Sequence, residues 1–107
     1  MDTILTALVK RKLDITWSDS DTDARIEDIM TSAVPVLKFK MGIPDSEDFD
    51  FTEAGQERNL FLSYCLYEWN HVTNEFDDNY ANELAQIRAK NDVKYYKEGQ
   101  DNEEANV

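Results

Sequence analysis

Three places in this 107-residue chain carry residue types that could do chemistry. Asp19, Asp21 and Asp23 alternate as in the opening of a calcium-binding loop. Glu68 and His71 have the Glu-x-x-His spacing of di-iron helical bundles, and Cys65 is a thiol on the same stretch. Each set lacks what its chemistry requires. A calcium loop needs glycine at its sixth position and a bidentate glutamate at its twelfth, where this chain has Ala24 and Met30. A di-iron site needs the Glu-x-x-His pair twice, and the chain holds one histidine. A nucleophilic Cys65 needs a base within reach, and His71, six residues further along one predicted helix, points in a different direction. There is no Gly-rich phosphate loop and no Ser-His-Asp set. No catalytic, cofactor-binding or metal-ligating residue is therefore predicted. Asp19 to Asp23 reads as a helix start, Cys65 as a small buried hydrophobe, and His71 as a helix-end or solvent-facing side chain.

The element that would position any site is the stretch Glu57 to Val72. Phe61, Cys65, Trp69 and Val72 share one helical stripe, Leu62 and Leu66 flank it on one side, and Leu60, Tyr64 and Tyr67 on the other. A helix apolar around most of its circumference is surrounded by other elements. The spacing predicts an all-α fold, a small bundle of about four helices around a central helix over about 53–72. Asp50 or Thr52 would cap that helix, with Phe51 as a hydrophobic staple.

Before it, residues 3–13 place Ile4, Leu5, Leu8, Val9 and Leu13 on one face, with Lys10, Arg11 and Lys12 in the last turn, where cations suit the helix dipole. Trp17 follows, read as a plug folded over the bundle end or, more sharply, as an exposed interface anchor. Ser18 with Asp21, or Ser20 with Asp23, offers caps for a second helix that puts Ile26, Ile29, Met30, Ala33 and Leu37 inward. Pro35 within it predicts a kink or break near residues 31–34, and Gly42 with Pro44 supplies its stop. Residues 45–51 read as an acidic loop. Residues 74–79 form a polar hinge into a last helix with Phe76, Tyr80, Ala81, Leu84 and Ile87 inward. Residues 1–97 are one helical domain, and 98–107 a flexible, disordered acidic tail.

The balance of 11 basic to 23 acidic residues gives a net charge of −12. That disfavours binding to phosphate backbones or anionic membranes and favours basic partners or repulsion of polyanions. One cysteine excludes an internal disulfide, no apolar run reaches membrane-spanning length, and no signal peptide opens the chain. An intracellular, reducing location is expected.

The order of motifs adds a further expectation. Leu13-Asp-Ile-Thr-Trp-Ser-Asp19, Asp23-Ala-Arg-Ile26, Asp50-Phe-Thr-Glu-Ala-Gly55, Tyr64-Cys-Leu-Tyr67 and Glu75-Phe-x-x-Asn-Tyr80 follow one another across residues 3–90. In this the chain resembles the head-tail connector (adaptor or head-completion) family of long-tailed phages; Pro35 departs from the pattern and the tail after Asn91 lies outside it. The resemblance implies a non-enzymatic virion protein, made in the cytoplasm of a bacterial host and located at the head-tail junction. It would form a ring of about twelve copies under the portal, extend the DNA channel and offer a platform to a stopper or tail protein, with DNA only a transiting polymer and no membrane or cofactor involved. By the same resemblance, Val93, Tyr95 and Tyr96 become candidate portal contacts, and Asp45, Glu47, Asp48 and Asp50 candidates for channel lining or subunit contact. The ordinary alternatives are helix-end packing for the tyrosines and solubility for the acids.

A second class competes, a small acidic helical regulator that binds a basic protein face as a nucleic-acid mimic. A mimic would carry its carboxylates in a regular stripe, whereas here they gather in helix starts, one loop and the tail.

Overall fold

The computed structural model describes residues 3–105, with side chains through Tyr96. The described chain runs through α1 (Thr3–Lys12), α2 (Ser20–Met41), α3 (Gln56–Trp69), a 3-10 turn (Thr73–Glu75), α4 (Phe76–Asn79) and α5 (Ala81–Ala105), with no strand among the described residues. The all-α expectation holds, and α3 is its centre: α1, α2 and α5 all pack on it. Leu60, Phe61, Ser63 and Cys65 of α3 are buried, and Leu62, Tyr64, Leu66, Tyr67 and Trp69 are half-buried. The inward residues expected of α2 are all buried, joined by Met41 in its last turn. Burying a large aliphatic or aromatic side chain contributes about 1.5–3 kcal/mol, so this shared core holds the bundle together.

Several local expectations give way. Helix α3 starts at Gln56 rather than Glu53, and neither Asp50 nor Thr52 caps it. The Asp50 carboxylate instead accepts from the Thr52 backbone N–H (2.9 Å) and hydroxyl (2.5 Å), a tight Asx turn that ends before the helix begins. Helix α2 is capped by Asp19, which accepts from the Thr22 backbone N–H at 2.8 Å, and not by Ser18 or Ser20. It runs unbroken through Pro35, which is exposed, as is Thr31 whose carbonyl the proline leaves unbonded, so water can satisfy it. Ile4 and Ala81 face solvent rather than the core; Leu5 and Val9 alone fill the inner stripe of α1 completely. The expected polar hinge is itself helical, because Phe76 buries completely among Tyr64, Tyr67 and Tyr80 and draws its neighbours into a turn. Helix α5 runs through Ala105, so its backbone continues into the segment 98–107 expected as a flexible acidic tail. The remainder of that predicted tail, residues 106–107, lies outside the described residues.

Three helices end in one way. After α1, α2 and α3 a single left-handed residue follows, Asp14 (φ 58°), Gly42 (φ 74°) and His71 (φ 60°). The next amide then reaches back five residues: Ile15 to Lys10, Ile43 to Lys38, Val72 to Tyr67, at 2.8–2.9 Å. This is the Schellman arrangement, and Ile15 and Ile43 bury at its apolar position. Only Gly42 adopts the left-handed region without a Cβ penalty. A Cβ there would also lie 3.0 Å from Asp92 Oδ1 and 3.2 Å from Arg88 Cγ. Gly42→Ala is therefore expected to destabilise the protein by about 1–3 kcal/mol, while Asp14→Gly stabilises it by about 0.5–1 kcal/mol. Opposite shifts of the urea midpoint at unchanged slope are the check.

Candidate functional site

Apart from Trp17, the expected functional residues fall into two segments far apart in sequence, the loop at 45–50 and the helix at 93–96. The fold brings parts of both to one place. A cleft of about 480 Å³ lies between the loop and α5, lined by Glu47, Asp48, Asp50 and Glu53 on one side and by Lys90, Lys94 and Tyr95 on the other, with Phe49 at its floor. A second cleft of about 450 Å³ lies on the far side of Phe49, toward Leu5, Val34 and Lys38.

The loop is held by its aromatics rather than by regular structure. Phe51 is buried and stacks on Phe61 of α3 (4.7 Å between centroids), and Phe49 meets Phe51 edge-on at 4.8 Å. Alternation of Phe49, Asp50 and Phe51 thus puts rings inward and the carboxylate outward. The Lys38 ammonium donates to the Glu47 carbonyl and ties the loop to the last turn of α2. On the α5 side, Asn91 is buried and its Nδ2 donates to the Met41 carbonyl at 2.9 Å, fastening α5 to the C-terminal end of α2.

The candidate contacts separate on inspection. Tyr95 is half-buried against the core beside the cleft, which is the ordinary packing reading. Val93 and Tyr96, three residues apart, are 57% and 67% exposed, so the outward face of α5 here consists of these two and not of the tyrosine pair. Asp45 lies apart from the acidic cleft, in a shallow depression with Pro35, Val36 and the exposed ring of Phe39. Trp17 is 52% exposed and does not plug the bundle end. Its indole N–H donates to the Thr22 hydroxyl (3.2 Å), and that hydroxyl donates to Asp19 (3.0 Å), so the exposed ring is pinned beside the start of α2.

The residues that could have done chemistry are accounted for. Cys65 has no exposed surface, and burial pushes its thiol up to about 12, with Glu68 nearby adding to the effect. His71 is exposed and meets the Arg25 guanidinium at 3.3 Å. That guanidinium lies 4.0 Å above the Trp69 ring and donates to the Trp69 carbonyl, a clamp from α2 to the end of α3 that periodicity could not announce. Asp19 and Asp23 serve the helix start: Asp23 pairs with Lys10 (2.8 Å) and accepts from the Ser18 hydroxyl (2.9 Å).

Hydrogen bonds hold three carboxyls below the usual range: Asp19 through the Thr22 amide and hydroxyl, Asp23 through Lys10 and Ser18, and Asp50 through the Thr52 hydroxyl and amide. A carboxyl lowered in the folded state stabilises fully above its unfolded value near 3.9, and that stabilisation is lost as pH falls through the lower folded value. Asp19→Ala is expected to lower the thermal midpoint at pH 7, with the gap to wild type closing as pH falls below the unfolded carboxyl value near 3.9 and through the lower folded one, whereas Asp19→Asn keeps most of the cap. Thermal scans across pH measure both.

Among the described residues most cations are engaged. Lys10, Lys40 and Lys90 form ion pairs with Asp23, Asp77 and Glu57, at 2.8, 2.7 and 2.5 Å. Arg25, Lys38, Arg58 and Arg88 donate to backbone carbonyls, and Lys94 lies 5.1 Å over the Tyr95 ring. Among the described residues no helix is long and apolar enough to cross a membrane. No protein-family model, curated protein or solved structure matches the chain.

Proposed function

We propose that this chain is a structural subunit of a phage head-tail junction, assembling as a ring beneath the portal and presenting a platform to the next connector or tail component. The observation that carries the proposal is the outward face of α5. Val93 and Tyr96 hold apolar surface out to solvent on a 25-residue helix whose backbone continues nine residues, about 13 Å, beyond Tyr96. Exposed apolar side chains grouped on one face mark interaction sites, and aromatic residues dominate interface energetics. The motif order supports the same reading. So does the charge, because a channel ringed by subunits of net −12 repels DNA phosphates and lets DNA pass without sticking. The chemistry that remains is contact chemistry: the thiol is sealed in the core, and the histidine and the aspartates near α2 are held in local clamps and caps.

The test is co-purification with the portal ring of the same phage. Wild type is retained, and Val93→Ser with Tyr96→Ser weakens retention at least about tenfold while leaving the far-ultraviolet spectrum unchanged. Equal retention of the double variant, or no retention of wild type, overturns the proposal. Capture of a basic DNA-binding protein in its place would move the chain to the acidic-regulator class.

A further inference from the structure

Two neighbouring cations stand out against the rest. The side chains of Arg11 and Lys12, in the last turn of α1, are exposed and make no hydrogen bond, ion pair or ring contact among the described residues. The helix dipole accounts for a cation there, but not for two left unpaired in a chain with twice as many acids as bases. The complementary surface is the cleft beside α5. The carboxylates of Glu47, Asp48 and Glu53 line it without a cationic partner among the described residues, while Glu57 is already neutralised by Lys90.

The two surfaces sit at opposite ends of α2. Lys10 pairs with Asp23 near the start of that helix, and Lys38 bonds the loop near its end, fifteen residues or roughly 22 Å further on. Arg11 and Lys12 are thus held away from the cleft of their own molecule. Opposite charges at opposite ends of one subunit are what a head-to-tail contact between identical copies requires, and such a contact closes into a ring when its rotation permits.

We infer that Arg11 and Lys12 of one copy dock into the Glu47–Asp48–Glu53 cleft of a second copy of this chain. The inference rests on the ring reading only for its choice of occupant. The contact is electrostatic, so salt weakens it.

Carbodiimide coupling tests it. The reagent activates a carboxylate, the Lys12 amine displaces it, and an amide forms with loss of the activated group as a urea. With equal amounts of ¹⁵N-labelled and unlabelled full-length protein at low salt, mass spectrometry is expected to find mixed-isotope links from Lys12 to Asp48 or Glu53. Raising salt suppresses them. Arg11→Glu with Lys12→Arg, which leaves no amine at position 12, serves as the background control. Asp48→Lys with Glu53→Lys prevents self-coupling of that variant by at least about tenfold, and mixing it with Arg11→Glu, Lys12→Glu protein restores hetero-association by sedimentation. Milder Arg11→Gln, Lys12→Gln protein covers the case in which reversed charges disturb α1. Links confined to single-isotope pairs, or unaffected by either charge reversal, overturn the inference. Such a failure leaves portal retention of the wild type untouched, whereas links without any portal retention would instead refute the head-tail reading.

Discussion

Phe61→Ala is expected to lower the unfolding free energy by about 3–5 kcal/mol, a large part of the roughly 5–15 kcal/mol available to a domain of this size. Phe61 has no exposed surface and sits on the central helix, so its removal leaves a cavity facing several elements at once. It is also the base of the ring series Phe61, Phe51 and Phe49 that holds the acidic loop. The loss should therefore appear twice: as a lower denaturant midpoint and as faster proteolysis within residues 45–55 under conditions where the bundle remains folded. Phe49→Ala, at the half-buried end of the series, should cost less globally while still loosening the loop. A Phe61 variant with unaltered midpoint would mean that α3 is not the centre of the fold.

The second large effect concerns Cys65. With its thiol pushed up to about 12 by burial, the thiolate fraction at pH 8 is lower than in an unfolded chain by on the order of a thousandfold, and the sulfur has no exposed surface besides. Iodoacetamide should alkylate the native protein at least about a thousandfold more slowly than the denatured one, read as mass gain with time. The same shift has an alkaline consequence. A thiol raised on folding stabilises fully below its unfolded value near 8.5, and that contribution is lost as pH rises toward about 12. Tyr64, raised chiefly by burial and further by Glu68, acts in the same direction at the alkaline end. Cys65→Ala should flatten the first part of that decline. Equal labelling of native and denatured protein would place the thiol at the surface and reopen the question of a reactive cysteine.

Much of the architecture could be read from residue spacing because burial was carried by aliphatic and aromatic periods. Ile26, Ile29, Met30, Ala33 and Leu37 recur at helical intervals, and the apolar girth of α3 gives its central place directly. Spacing fails where a polar group does the fastening. Asn91 continues the inward face of Ile87 and Tyr95, yet its amide hides that period; it buries because the Met41 carbonyl accepts from it. The Arg25 clamp on Trp69 and His71 joins residues more than forty apart and has no local signal. Capping was legible in kind but not in position, since Ser18, Asp19, Ser20, Asp21 and Asp23 all suit a helix start and only the packed geometry chose Asp19.

The site shows the same division. The acidic loop and the aromatic end of α5 were both visible as composition, but their convergence on one cleft required the fold. The tyrosine pair could not be separated by inspection of adjacent identical residues. The helix does so, because consecutive side chains lie about 100° apart: Tyr95 turns to the core and Tyr96 to solvent beside Val93. Phe39, exposed near Arg88 on α2's outer side, gave no warning, since an aromatic at that position could equally have closed the helix's inner stripe.

Electron microscopy of the full-length chain incubated with the portal ring of the same phage tests the central claim most directly. A second ring of density is expected, stacked coaxially on the portal, with α5 directed at the portal surface and the channel continuous through both. Portal rings without added density, at protein concentrations well above those used in the binding assay, would contradict it.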